Sequence, residues 1–423
     1  MTTDRVSRAA GVCAIAAGLL YALVQFIHPH ETLTNVTTTT WNVTHLLTIT
    51  MTVLALAGIT GMYARQVRKA GATGLHRKPA MRGTLMKTQQ HTEGPGSASQ
   101  AMRAVVRHTY GAPTEVLRVD TTERPSVGAT DVLVRVRAAG VDRGTWHIVT
   151  GLPYPIRLAG FGFRAPKNPV VGGDVAGVVE AVGSGVTRLR VGDEVFGTGH
   201  GTFAEYARAS ESKLSLKPAT LSFEEAAAVP VSAMTALQAV RDRGQVQPGH
   251  QVLVVGASGG VGSYAVQIAK ALGAVVTGVA SGRKLDLVRS LGADVLLDYA
   301  ADTLPERRYD VIIDVGGNTR VSQLRKALTV TGTLVIVGGE TRGRLLGGLQ
   351  RQLGATLLSP FVRQRLGTFV CKENAADLAV LASLIDSGQV TPSVDRVLPL
   401  EFAAEALQLL VDGRVRGKLV LSV

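Results

Sequence analysis

The sequence predicts an α/β protein in three parts: a two-helix transmembrane hairpin, a small β-rich domain, and a doubly wound parallel sheet. Three observations carry this. Residues 251–270, QVLVVGASGGVGSYAVQIAK, run from a short aliphatic strand through a glycine turn into an amphipathic helix. Further apolar strands are expected at Ala274–Ala280, Val295–Leu297, Val311–Asp314 and Thr333–Gly338, the pattern of repeated strand–helix units. Two uncharged apolar runs occupy residues 9–27 and 43–64, each long enough to cross a bilayer as a helix.

Composition agrees with a multi-domain chain. At 423 residues the protein exceeds one ordinary core. Its hydrophobic fraction of 46% and mean hydropathy of +0.21 run high for a soluble enzyme and point to membrane segments. The net charge is +13, and nine Lys/Arg against three Asp/Glu in residues 1–101 account for +6 of it. No basic patch is interleaved with aromatics, so a nucleic-acid partner is not expected. Cys13 and Cys371, the two cysteines, form neither a disulfide framework nor a thiolate zinc site.

In the first hundred residues, no Asp, Glu, Lys or Arg lies between Glu31 and Arg65. Arg5 and Arg8 precede the first run; Arg65, Arg68, Lys69, Arg77 and Lys78 follow the second. By the positive-inside rule both ends of the hairpin (residues 1–70) face the cytoplasm, with the catalytic part on that side. A signal peptide would explain the first run but not the second. Ala10, Ala14 and Gly18 supply a small-residue ridge for close helix packing. Residues 71–101 are rich in Gly, Thr, Ser, Gln and cations, and read as a flexible linker.

The β-rich domain is expected from Met102–Val106, Val116–Val119, Asp131–Ala138, Val178–Val182 and Glu194–Gly197. Beyond it lies the glycine turn Gly256, Ala257, Ser258, Gly259, Gly260, Val261, Gly262. Between strand and helix, such a turn lets backbone approach a pyrophosphate, whose charge the helix N-terminus binds. The second strand ends in Ser281-Gly-Arg283-Lys284, and no acid appears until Asp286. An NAD site places a carboxylate there for the ribose hydroxyl. Two cations and a serine suit a 2′-phosphate instead, so NADPH is expected over NADH. Gly316 and Gly338 end later strands at the same edge of the sheet.

Gly249-His-Gln-Val-Leu253, Ala257-Ser-Gly-Gly-Val-Gly262, Gln267 and Lys270 resemble the signature of the quinone oxidoreductase and zeta-crystallin group, zinc-free medium-chain dehydrogenase/reductases. The likeness runs from about Met102 to the C-terminus. It implies a GroES-like substrate domain over 102–224 and a Rossmann NADPH-binding domain over 225–387. Residues 388–423 would return to the substrate domain through Val394–Val397, a helix at Ala403–Val411, and Lys418–Ser422. It further implies that Lys284 and Tyr299 contact the 2′-phosphate, that the Gly316 and Gly338 turns meet ribose and nicotinamide, and that Lys418 approaches the cofactor. Met102 offers an alternative start for a complete soluble, cytoplasmic reductase.

Zinc-dependent relatives hold their metal with Cys, a His-Glu pair and a further Cys or acid. The matching positions here hold Asp142, Gly173, Asp174 and Val231, and the structural four-cysteine lobe is missing. Two carboxylates without imidazole or thiolate do not make a tetrahedral zinc site, so a metal-free enzyme is expected. The segment Gly140–Tyr154 resembles the family's substrate loop, with Asp142 where an Asn is usual and His147 where a Tyr is usual. Asp142 and His147 are candidate catalytic residues, His147 as proton donor. The competing reading makes Asp142 a cap of the following turn and His147 a surface residue. Trp146 and Tyr154 are candidate walls of the substrate pocket. Between Thr341 and Phe369, five arginines alternate with leucines; this basic amphipathic segment suits a membrane surface, a cover over the active site or a dimer interface equally.

The expected function is zinc-independent, NADPH-dependent hydride transfer to a quinone, enone or other activated carbonyl, with a homodimer possible. A non-catalytic NADPH sensor of the same fold, or an NAD(P)-dependent alcohol dehydrogenase or aldehyde reductase, are the alternatives.

Overall fold

The computed structural model describes residues 101–423 apart from 339–342 and 344. The hairpin expected within residues 1–70, and almost all of the 71–101 linker, lie outside the described residues; strand β1 takes the linker's last residue. Among the described residues no helix is long and apolar enough to cross a membrane. The longest have 12 residues, about 18 Å of helix against a hydrocarbon core of about 30 Å. The transmembrane part of the expected fold class is thereby corrected, and with it the membrane-spanning assignment. The fold described is the two-domain α/β architecture.

The β-rich domain begins with a hairpin of β1 (Ala101–Val106) and β2 (Arg118–Glu123). Then follow β3 (Asp131–Val141), helix α1 (Arg143–Thr150), β4 (Asp174–Val182), β5 (Glu194–Thr198), β6 (Tyr206–Ser210) and β7 (Leu214–Leu216). Helix α2 (Pro230–Leu237) leads across to the second domain. That domain comprises β8 (Gln251–Val255), α3 (Gly260–Ala271), β9 (Val275–Ala280), α4 (Leu285–Ser290), β10 (Val295–Asp298) and β11 (Tyr309–Asp314). It ends with α5 (Val321–Ala327), β12 (Leu328–Ile336), α6 (Leu349–Leu358), β13 (Arg365–Thr368) and α7 (Ala375–Asp386). Last come β14 (Val394–Pro399), α8 (Ala403–Val411) and β15 (Lys418–Ser422).

Strands β8–β13 form one parallel sheet in the order β10-β9-β8-β11-β12-β13. In order of appearance this is 3-2-1-4-5-6, the doubly wound arrangement whose crevice opens where the order reverses, between β8 and β11. Central strands buried on both faces read as continuous aliphatic runs, and Val252, Leu253, Val254, Ile312 and Ile313 are all fully covered. The other sheet runs β14-β15-β3-β4-β5-β7, with β6 also paired to β3. The C-terminal strand β15 is therefore inserted beside β3, and the chain ends in the domain where the described part begins.

The strand expected at Val116–Val119 forms only from Arg118, because Pro113–Val116 turns helical behind its proline. Strand β12 starts at Leu328, earlier than the expected Thr333, through a residue pair, Val330 and Thr331, that faces solvent. Of the buried apolar clusters among the described residues, two are the largest. One packs α2, α3 and α7 on the inner sheet around Met234, Tyr264 and Ile268. The other fills the β-rich domain around Val134, Val149, Phe203 and Leu419.

Candidate active site

The glycine turn is a close-packed cradle. Gly256 has φ +84°, and a Cβ there would fall 2.9 Å from the Gly316 nitrogen. A Cβ on Gly262 would stand 2.1 Å from the Gly256 carbonyl oxygen, so helix and strand meet here backbone to backbone. Gly259 precedes the first turn of α3. The N–H groups of Gly260, Val261 and Gly262 have no partner within the helix and present the positive end of its dipole. Ala257 and Ser258 are buried beneath, where the Ser258 carbonyl accepts from the Gly417 nitrogen at 2.9 Å. Gly338 packs behind the Gly316 turn; a Cβ on it would reach Val315 O at 2.4 Å. These features fit a pyrophosphate, which needs donors that no side chain shields.

The corner at the end of β9 holds Ser281, an exposed Arg283, Lys284 and an exposed Tyr299, whose backbone nitrogen bonds Ala280 O at 3.1 Å. Lys284 is not an open cation. Its ammonium donates to Gly413 O at 2.8 Å and Val415 O at 2.7 Å, and burial holds its pKa below the usual range. Arg416 lies nearby, paired with Asp286 at 2.5 Å. One acid also approaches: Asp298 Oδ2 lies against Gly282, while its Oδ1 accepts from Ala300 N at 3.0 Å.

Lys418 is committed to a buried carboxylate. Its stem runs against Gly260, and its ammonium donates to Asp174 Oδ2 at 3.1 Å, both side chains being buried. Asp174 Oδ1 accepts from Val231 N at 2.9 Å. Burial pushes the Asp174 carboxyl up to about 7, against the pull of Lys418. Two of the four positions that correspond to zinc ligands, Asp174 and Val231, thus meet here, and the charge that Asp174 binds is an ammonium. Asp142 is committed elsewhere as the N-cap of α1: Oδ1 accepts from Thr145 N at 2.7 Å and Oδ2 from Thr145 Oγ1 at 3.2 Å. This donor set does not fit zinc. Among the described residues no group of three or more His, Cys, Asp or Glu could hold a metal ion.

His147 sits on α1, one turn beyond the cap. Its Nδ1 lies 2.7 Å from Leu152 O, which fixes the proton on Nδ1 and leaves a lone pair at Nε2. Burial lowers its pKa, partly offset by that carbonyl, so the ring is neutral at pH 7. Trp146 meets the His147 ring edge-on at 5.0 Å, and Tyr154 is held by the Arg157 guanidinium 4.9 Å from its ring. The structure therefore groups Asp142, Trp146, His147 and Tyr154 on one loop. Asp142 and His147 share no hydrogen bond.

Two ion pairs escaped the sequence reading. Asp314, at the end of β11, is fully buried; its Oδ2 is bound by Arg351 of α6, and its Oδ1 accepts from Gly317 N at 3.2 Å. Arg351 also donates to Thr319 O at 3.0 Å. The segment leading into α6 reaches the substrate loop, where a Cβ on Gly347 would touch Pro153 at 3.0 Å. The other pair is Asp174–Lys418, of which only the separate members had been noted.

Two family models match this chain: an alcohol dehydrogenase GroES-like domain over residues 128–219 and a zinc-binding dehydrogenase over 291–421. A 2-methylene-furan-3-one reductase of Solanum lycopersicum is 32% identical, aligned over 77% of this chain and 80% of its own. A chloroplast envelope quinone oxidoreductase homolog of Arabidopsis thaliana is 30% identical over 77% of this chain and 99% of its own. The chain belongs to the quinone oxidoreductase group of the zinc-free medium-chain dehydrogenase/reductases. Among solved structures, Escherichia coli quinone oxidoreductase complexed with NADPH superposes with a TM-score of 0.66, at 26% identity, covering 76% of this chain and all of its own. As a member of this group the protein is an oxidoreductase. The family model's zinc does not extend to it, for the reason of donor chemistry given above.

Proposed function

We propose that the protein reduces a quinone or an enone with NADPH, without a metal. The observation that carries this is the junction of glycine cradle and substrate loop. Gly260 abuts Lys418, Lys418 binds Asp174, and the Asp142 charge that begins the substrate helix acts on Asp174. A nicotinamide reaching over the cradle would thus lie against α1 and its loop. The related reductase and quinone oxidoreductase names supply the substrate class.

Bound NADPH would supply the hydride, added to the electron-poor carbon of the acceptor. The chain's own residues bind and orient. Gly256–Gly262 would take the pyrophosphate, and Ser281, Arg283, Lys284 and Tyr299 the 2′-phosphate, which favours NADPH over NADH. The turns at Gly316 and Gly338 leave room for ribose and nicotinamide. Trp146 and Tyr154 would flank a planar acceptor. His147, neutral and open at Nε2, would take up a solvent proton there and pass it to the reduced substrate. Asp142 would orient α1 as its cap rather than act on substrate. The outer strand β13, with Leu357 and Phe361 exposed beside it, offers an edge on which a homodimer would pair.

The test is NADPH oxidation by the purified protein across quinones, enones and aldehydes. Turnover with quinones or enones, undiminished by chelators, is expected. Tight NADPH binding with no turnover on any of them would replace this reading by a sensor.

A further inference from the structure

Beneath the substrate loop lies a charge that the mechanism does not use. Arg107 directly follows β1 and is 3% exposed, yet its Nε and Nη1 are buried without a hydrogen-bond partner. Desolvation lowers its pKa, and Tyr110 is the one group that opposes this; no carboxylate does. The guanidinium carbon stands 5.1 Å from the Tyr110 ring centre. Arg157 approaches the same ring at 4.4 Å, so two cations share one tyrosine. Arg157 donates to Gly151 O at 2.9 Å, and neither arginine makes an ion pair among the described residues.

A buried guanidinium does not escape its cost by losing the proton. It needs an anion or a full set of acceptors. The stack is joined directly to the substrate loop. Gly151, the left-handed C-cap of α1, lies so close that a Cβ would fall 2.6 Å from both Arg157 Nε and Tyr110 Cδ1. Tyr110 itself donates to the carbonyls of Phe161 and Gly162, at 3.0 and 2.7 Å, on the far side of the same loop.

We propose that Arg107 and Arg157, stacked on Tyr110, receive an anionic oxygen group, a carboxylate or phosphate, at the end of the substrate remote from the reducible bond. This rests on the reductase reading and narrows it: the preferred acceptor is an amphiphilic enone or quinone with a negatively charged tail. Trp146 and Tyr154 would hold its planar part, and the arginines its charge. Arg107 and Arg157 would then be specificity-determining residues.

The test compares oxoheptenoate, a methyl ketone conjugated to its alkene with a carboxylate at the far end, with its methyl ester. Turnover is read by NADPH oxidation. Binding of the saturated product, oxoheptanoate, and of its ester is read without cofactor by tryptophan fluorescence, since Trp146 lies in the loop above the stack. The wild type should bind the acid about tenfold to a hundredfold more tightly than the ester, the worth of one charge-assisted contact. Arg107→Gln and Arg157→Gln should each bring acid and ester to equal affinity, any loss shared by both compounds reporting on Tyr154 and the loop instead of the charge. If Arg107→Gln does not fold, Arg157→Gln decides, because Arg157 is only half-buried. Equal binding of acid and ester, or a preference that survives in Arg157→Gln, overturns the proposal. Saturable binding of inorganic phosphate without acid–ester discrimination also overturns it, and shows a free-anion site. Acid-selective binding with no turnover of either compound would instead defeat the reductase reading and sustain this one.

Discussion

The Lys418 ammonium and the Asp174 carboxylate meet 3.1 Å apart with 2% and 0% of their side chains exposed, joining the last strand of the chain to the first turn of the nucleotide helix. Lys418→Met should strand a buried carboxylate and cost about 3–5 kcal/mol at neutral pH. The double variant Asp174→Leu/Lys418→Met should recover most of it, as urea midpoints would show. The pH dependence has a definite sign. The Asp174 carboxyl, raised from 3.8 to about 7 by burial, binds its proton more tightly folded than unfolded. Stability from this group is complete below its unfolded pKa and is lost as pH rises through the folded one. Asp174→Asn should flatten that slope between these two values.

At the phosphate corner, Arg283 and Lys284 separate in role. Arg283→Ala should weaken NADPH about tenfold to a hundredfold and leave NADH nearly unchanged, the charge-assisted contact being specific to the phosphate. Lys284→Ala should weaken both cofactors, because its ammonium also ties Gly413 and Val415 of the C-terminal return. Calorimetric titration with each cofactor distinguishes the two; equal losses in Arg283→Ala would remove that residue from phosphate reading.

His147→Phe should lower turnover by about 10²–10⁴-fold while NADPH binding persists. Burial keeps the imidazole pKa below 6.5, so wild-type activity should rise as acidification protonates Nε2, the form that donates, and the variant's profile should lack that limb. The same depression makes the folded state less stable as pH falls below 6.5, because the unfolded chain takes up the proton first. An unchanged rate in the variant would leave His147 as a packing residue.

Arg351→Met should expose the cost of the buried Asp314 carboxylate, again about 3–5 kcal/mol, and slacken the turn that packs on Gly256. Burial already pushes the Asp314 carboxyl upward against the pull of Arg351. Arg351→Lys should rescue little, since one ammonium cannot serve both Asp314 and Thr319 as the guanidinium does. Chemical denaturation of the three proteins checks this; a Lys variant as stable as wild type would show that charge alone suffices.

The nucleotide sheet was legible because fully buried parallel strands advertise themselves as aliphatic runs, and because Gly256 and Gly262 sit where only glycine fits. The C-terminal return was legible through the family resemblance. Strands β6, YARAS, and β13, RLGT, were not, since half-exposed short strands carry no continuous apolar signal. Side-chain commitments were the least visible. The cap role of Asp142 was one of two readings the sequence offered, but nothing there says that Arg351, one arginine among five in a basic segment, turns inward. Arg107 left no trace either: its strand parity is shared by exposed Arg103 as well as by buried Val105.

The pairing of β15 with β3 has a consequence for how the molecule is made. Leu419 and Val420 lie opposite Val141 and Gly140, almost the whole described chain apart. The substrate domain, synthesised before the nucleotide domain, therefore waits for β15 before its sheet is continuous. Meanwhile the nucleotide domain can complete all six of its strands from local segments. During that interval the β3 edge at Ala138–Val141, apolar and without its β15 partner, is open to pairing with other chains. Its shielding depends on a strand that is synthesised only after the whole nucleotide domain.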